Sequence, residues 1–136
     1  MDIRELAIDD WVRHEFYEMN MRVRRIEGDS ERIFAERDGL STQAHINNYR
    51  PIDITSDILE KNGFVKMDEI IAHWRCQIDE RHRIESSGFS EDCMTLYYDR
   101  LTSCEEWATT AQMDCGCVHE LQHFFRMTGI DKDIKL

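Results

Sequence analysis

Ile70-Ile71-Ala72-His73-Trp74-Arg75-Cys76-Gln77-Ile78 alternates strictly: Ile70, Ala72, Trp74, Cys76 and Ile78 fall on one parity, and Ile71, His73, Arg75 and Gln77 on the other. A period of two belongs to a β-strand with one apolar face. Residues 117–128 carry the other period. There Val118, Leu121, Phe124 and Phe125 recur at the spacing of a helix with one buried stripe, and Thr128-Gly129 supplies its stop. Strand pattern and helix pattern in separate blocks predict an α+β fold rather than an all-α or α/β one.

The alternation extends on either side. Residues 93–98 place Met94, Leu96 and Tyr98 on one face, residues 82–86 repeat the pattern more weakly, and Trp107, Thr109 and Thr110 turn residues 104–111 toward strand. Residues 67–111 are therefore expected to form an antiparallel sheet, with the C-terminal helix packed on it and Asp114 serving that helix's N-terminus. Upstream, Thr55 or Ser56 is an N-cap and Asn62-Gly63 a stop, which predicts a short helix over 55–62 followed by Phe64 as an anchor. Phe64, Trp74, Ile78, Leu96, Leu121 and Phe125 are the expected core.

Before Pro51 the pattern is one of short strands. Trp11, Val12, His14 and Phe16 alternate roughly with polar neighbours; Met21 and Val23 oppose Arg22 and Arg24; Ile33 and Ala35 share a face, as do Ala44 and Ile46. Gly28-Asp29-Ser30 and Asp38-Gly39 are turns, the second of the kind that closes hairpins. Four or five strands in so short a stretch predict a small meander or β-barrel, since a lone hairpin is not stable. The organisation expected is a β-barrel-like unit at 1–52 and an α+β unit at 53–136, intimately packed on the first.

Composition narrows the function. The chain has 136 residues, 28 acidic against 17 basic, for a formal charge of -11. That charge opposes nucleic acid and anionic membranes over the whole molecule. It is uneven, however: residues 1–50 hold eight arginines against eleven acids. No apolar run reaches the length of a membrane helix, and Met-Asp-Ile-Arg-Glu-Leu lacks the plan of a signal peptide. Five cysteines without such a signal point to free thiols in a reducing cytoplasm, with Cys76, Cys93 and Cys104 as small core or half-buried strand residues.

Three stretches share a further likeness. They are Ile3-Arg4-Glu5-Leu6-Ala7-Ile8-Asp9-Asp10-Trp11-Val12, the block from Arg50-Pro51-Ile52 through Lys61-Asn62-Gly63-Phe64, and Val118-His119-Glu120-Leu121-Gln122-His123-Phe124-Phe125-Arg126-Met127-Thr128-Gly129. In this order they resemble a family of small uncharacterised proteins of Bacteroides-type bacteria, their phages and mobile elements. The resemblance implies a fold and a genomic setting but no activity. Members usually carry Gly-Asn where this chain has Asp9-Asp10, and Asn where it has His123. The first fifty residues are also similar in pattern to a Src-homology-3-like or KOW-type small barrel.

His119-Glu120-Leu121-Gln122-His123 fits H-E-x-x-H. On a helix the two imidazoles share a face and can bind one zinc, with Glu120 as general base toward a bound water. A catalytic zinc needs a third protein ligand, and only the short tail with Asp131 and Asp133 follows. Adding Cys115 and Cys117 gives four ligands within nine residues, with a Cys-x-Cys spacing tighter than structural zinc sites use. The expectation is therefore no cofactor and no catalytic set, with His119 solvated, His123 half-buried and both thiols free. His119 and His123 stand as the candidate zinc pair of the alternative, a zinc-dependent hydrolase.

Arg13, Arg22, Arg24, Arg25 and Arg32 lie in the barrel region. Arg22, Arg24 and Trp11 are the candidate binding residues: an anion or RNA surface with Trp11 or Tyr17 stacking, opposed by Glu15, Glu18, Glu27 and Glu31. Acidic pairs such as Asp9-Asp10, Glu91-Asp92 and Glu105-Glu106 suit a solubilising surface, or mimicry of a nucleic-acid backbone by a phage anti-defence protein. A nucleotide-signal sponge with a pocket between barrel and sheet is a further alternative. No Gly-x-Ser-x-Gly or phosphate-binding glycine loop occurs. The expected function is that of a non-enzymatic binding or adaptor protein whose partner is a protein or small molecule rather than nucleic acid or membrane.

Overall fold

The computed structural model describes residues 1–136 except Glu69, Ala72, Phe89, Glu91 and Cys93. The fold is α+β and divides into two compact units, Met1–Ile52 and Asp53–Leu136. Among the described residues no helix is long and apolar enough to cross a membrane.

The first unit is a half-barrel built on one antiparallel sheet. Its strands are β1 (Trp11–His14), β2 (Met19–Glu27), β3 (Arg32–Arg37), β4 (Leu40–His45) and β5 (Tyr49–Arg50), in the order β4-β3-β2-β1-β5. The Asp38-Gly39 turn closes β3 onto β4 with both residues at positive φ, 49° and 84°, as a two-residue hairpin of this twist requires. One-turn 3-10 helices at Ile3–Glu5 and Ile46–Asn48 flank the sheet. Alternate residues Val12, Met21, Val23, Ile33, Ala35 and Tyr49 fill the inner face, joined by Ile3, Leu6 and Ile46. The Tyr49 hydroxyl lies 2.8 Å from Thr42 Oγ1, which ties the short last strand to β4.

The first strand stops earlier than alternation alone suggests. Glu15–Glu18 is a turn, and Phe16 is 82% exposed at its tip instead of continuing the buried face. His14 ends the strand. It is buried between the rings of Tyr17 and Tyr49, each with its centroid 4.8 Å away, and Nδ1 faces the Tyr17 amide at 3.4 Å. Burial holds its pKa below the ordinary value. The unfolded chain then takes up this proton before the folded one does. Stability is present above the unfolded pKa of about 6.5 and falls as pH drops below it. Denaturant titrations between pH 7.5 and pH 5 should show this loss, and His14→Phe should flatten it. An unchanged slope in the variant would refute the assignment.

The second unit opens with α1 (Ser56–Lys61). Its Thr55 Oγ1 accepts the Ile58 amide at 3.3 Å, as the N-cap reading expects. Gly63, at φ 87°, ends it: the Gly63 amide donates to Glu60 and the Phe64 amide to Leu59, at 3.1 and 3.0 Å. A five-stranded antiparallel sheet follows, ordered β10-β9-β8-β7-β6, from β6 (Val65–Lys66), β7 (Trp74–Asp79), β8 (His82–Ser87), β9 (Met94–Leu101) and β10 (Trp107–Cys115). The C-terminal helix is α2 (Val118–Met127), closed by Gly129 at φ 74° with the same pair of backbone bonds, Gly129 to Arg126 and Ile130 to Phe125.

Five of the six expected core residues, Phe64, Trp74, Leu96, Leu121 and Phe125, are at most 2% exposed; Ile78 is only half-buried. The strand expected from Ile70 begins at Trp74. Ile70 is 90% exposed, because Asp68 Oδ1 accepts the amides of Ile70 and Ile71 and turns the chain before the ladder starts. Ala72 and Cys93, counted in the expected strands, lie outside the described residues. Cys104 is exposed in the β9–β10 turn and not half-buried in a strand. The tail is also built in. Ile134 is 1% exposed, and the buried Asn62 carboxamide donates to the carbonyls of Ile58 and Lys135, both at 2.7 Å, and accepts the Lys135 amide at 2.9 Å.

Candidate functional site

The helix spacing brings the two imidazoles of the H-E-x-x-H stretch together. The His119 and His123 ring centroids are 5.8 Å apart with planes inclined by 65°. His123 is half-buried as expected. His119 is not solvated: it is 3% exposed, with Cys117 Sγ 3.3 Å from its Nδ1 and 3.5 Å from its Nε2. The residue before the helix explains the change. Cys117 is the N-cap and buried, which folds the following turn inward instead of leaving it at the surface.

Glu120 has a different task from the one the motif suggests. It is the third residue of α2, and its Oε2 accepts the amides of Gly116 at 2.6 Å and Cys117 at 3.2 Å. A carboxylate there satisfies amides that the helix start would leave unpaired, and meets the positive end of the helix dipole. Asp114, expected in that role, instead accepts the Thr95 hydroxyl across the sheet at 2.9 Å. Among the described residues no three His, Cys, Asp or Glu side chains stand together as a metal-binding set. Burial raises both thiols, Cys117 to about 12 and Cys115 further, so the described Cys-x-Cys sulfurs are protonated at neutral pH. An open cleft of about 440 Å³ adjoins this region, lined by Asp92, Thr95, Asp114 and Glu120; neither imidazole is among its described lining.

A second constellation lies on the sheet face opposite Trp74 and Leu96. Glu85 Oε1 meets Arg75 Nε at 2.5 Å and lies 3.2 Å from Arg83 Nε, while Oε2 meets His73 Nε2 at 2.7 Å. Asp99, also buried, accepts the Thr109 hydroxyl at 2.8 Å, and the Arg83 guanidinium stacks 4.1 Å over Trp107. Each charge here has an opposite charge beside it, so the group is a self-neutralised sheet face. Its signal in the sequence is the off-parity row Arg75, Arg83, Glu85 and Asp99, visible only once the strand register is known.

The third constellation is the outer face of the half-barrel, and it includes all three candidate binding residues. Arg22 sits directly opposite Trp11, its guanidinium 4.5 Å from the indole centroid. A bulge between Val23 and Arg25 makes Arg24 the extra residue, so that Arg24 and Arg25 both face outward and simple parity is broken. Arg24 pairs with Asp9 and, at 2.8 Å, with Glu36; Arg25 covers Phe34 at 3.7 Å and meets Glu27 at 3.0 Å. Of the acids expected to oppose these arginines, Glu27 does so and Glu31 turns to His45 at 3.2 Å. A recess of about 240 Å³ is lined by Arg24, Arg25, Phe34, Glu36 and Ser41.

The pair missing from the candidate set is Arg13 and Arg50. They are direct partners across β1 and β5, on the face away from Val12 and Tyr49. Arg13 donates to Asn20 at 3.3 Å, and neither guanidinium has an ion pair among the described residues. Like charges placed opposite each other in a sheet cost stability. The signal was out of reach because Tyr49–Arg50 is a two-residue strand, too short to announce itself by alternation. Comparison of the chain with family models, with curated proteins and with solved structures finds no match.

Proposed function

We propose that the chain is a non-enzymatic binding protein and that the outer face of the half-barrel is its contact surface, taking a short acidic segment of a partner protein. The observation that carries this reading is the Arg13–Arg50 pair, two arginines directly opposite each other in the strand register, neither with an ion pair among the described residues. A carboxylate-bearing ligand would relieve that repulsion, and arginine forks donate to carboxylates in two-point geometry. The Trp11–Arg22 cation–π pair lies on the same sheet face and adds a further guanidinium to it. The patch spans only three neighbouring strands, about 10 Å across at the strand spacing, and the chain around it is acidic. A short segment therefore suits it better than a long polyanion, which would run into the surrounding negative field.

Fluorescence anisotropy with a short labelled peptide rich in Glu and Tyr tests this on the full chain. Binding should weaken as salt rises. The double variant R13E/R50E should cut affinity at least tenfold, about 1.4 kcal/mol, without loss of fold by circular dichroism. Equal binding by the charge-reversed chain would sink the proposal. Tighter binding of a single-stranded RNA oligomer than of the peptide would do the same, by assigning the face to nucleic acid.

A further inference from the structure

In the second unit Arg81 and Arg100, which make no ion pair among the described residues, line one cleft. At the end of the sheet the β7–β8 turn and the β9–β10 turn lie side by side. The Leu101 amide donates to the Arg81 carbonyl at 2.8 Å, and Arg81 Nη2 donates back to the Leu101 carbonyl at 2.7 Å. Arg100 is the cross-strand neighbour of both His82 and Ala108, so its side chain stands on the same face of the sheet as theirs. Between the two turns lies an open cleft of about 410 Å³, lined by Arg81, Arg100, Leu101, Ser103, Ala108 and Thr110.

The charge arrangement here is the reverse of the opposite sheet face, where every arginine has a carboxylate. Among the described residues neither Arg81 nor Arg100 makes an ion pair. The carboxylates nearby are spent elsewhere: Asp99, next to Arg100, accepts the Thr109 hydroxyl on the other face, while Asp79 Oδ1 accepts the Arg81 amide at 2.7 Å, and both its oxygens meet His82 Nδ1, at 2.8 and 2.9 Å. Those contacts, the Arg81 amide first, hold the Asp79 carboxyl below its ordinary pKa, so it stays ionised and engaged. Glu80, Glu105 and Glu106 sit in the same two turns without an ion pair to either guanidinium. The bond to Leu101 fixes Arg81 while leaving most of its five N–H donors for a ligand. Thr110 Oγ1 is occupied, donating to the Tyr98 carbonyl at 3.0 Å, and Leu101 and Ala108 give the cleft an apolar part.

We infer that this cleft is a binding site for a small phosphate monoester, its dianionic head between Arg81 and Arg100 and its organic group against Leu101 and Ala108. Two guanidiniums match a doubly charged oxyanion in charge and in hydrogen-bond geometry. The size lies within the range of small-molecule sites. The inference does not rest on the acidic-peptide reading, because the residues belong to a different unit and a different set of variants tests them.

Thermal unfolding of the full chain with phenyl phosphate, inorganic phosphate and phenylacetate decides it. Phenyl phosphate should raise the melting temperature by about 2–5 °C beyond sodium chloride of equal ionic strength. Inorganic phosphate should do so less, for want of the apolar contact. R100Q should leave the ligand-free melting temperature within about 2 °C, since Arg100 is exposed, and weaken phenyl phosphate at least tenfold by calorimetric titration. R81Q, which also loses the Leu101 contact, is judged by affinity alone and should show a similar fall. No stabilisation beyond the salt control, or unchanged affinity in R100Q, would overturn the site. Phenylacetate binding as tightly as phenyl phosphate would overturn the phosphate assignment.

Discussion

Phe125→Ala should lower the unfolding free energy by about 3–5 kcal/mol, the range for deleting a buried phenyl ring. The ring is 1% exposed and packs against Phe64 with centroids 6.5 Å apart and planes within 18°. Both rings are delivered by helix ends. Phe64 follows the Gly63 stop of α1, and the Phe125 carbonyl takes the last backbone bond of α2. Neither helix stop can shift to fill the space without breaking those bonds, so the cavity should persist and the loss should lie toward the upper figure. Domains of this size hold roughly 5–15 kcal/mol in all, so the variant sits near the edge of folding. Phe125→Leu, which keeps most of the volume, should cost about 1–1.5 kcal/mol. Urea titration followed by far-ultraviolet circular dichroism measures both. A loss below about 1 kcal/mol for the alanine variant would mean that α2 does not pack as described.

What could be foreseen follows from which signals are local. The Asp38-Gly39 hairpin and the Gly63 and Gly129 stops depend on left-handed backbone that only a few residue types accept, the Thr55 cap depends on a short side-chain acceptor, and all four stand where the sequence puts them. The apolar parity of Trp74 and Cys76 likewise survives folding. Ile70 fails because its alternation competes with a turn in which the Asp68 carboxylate accepts two backbone amides, and the turn wins where the strand has no partner yet to pair with. Phe16 fails for the same reason: alternation continues in the sequence past the point where the ladder ends. The binding face illustrates the remaining gap. Trp11 and Arg22 are eleven positions apart and meet through register, while Arg13 and Arg50 meet through a two-residue strand. Register depends on turn lengths and one bulge, none of which composition or periodicity states.

Glu120→Ala should cost about 2 kcal/mol, and the size of that loss discriminates between two meanings of the H-E-x-x-H pattern. In the structure the carboxylate closes the start of α2 by accepting two backbone amides, so its removal leaves both donors unsatisfied in a partly buried place and withdraws a negative charge from the positive end of the helix. Glu120→Gln keeps an acceptor oxygen but loses the charge, and should fall about halfway between alanine and the native chain. Glu120→Asp shortens the side chain by one methylene, and should fail to reach Gly116. A carboxylate held toward the imidazoles as a general base would behave otherwise. Bases of that kind are spared by folding energetics, and alanine there would leave stability unchanged or raised. The same contrast applies to the histidines. His119 is packed within the fold and His123 only half so, and His119→Ala should therefore cost more stability than His123→Ala, whereas ligands of one ion would lose it together once the metal was removed. Melting curves of these variants, with and without a chelator, tell a helix cap flanked by two unequal histidines from a metal centre.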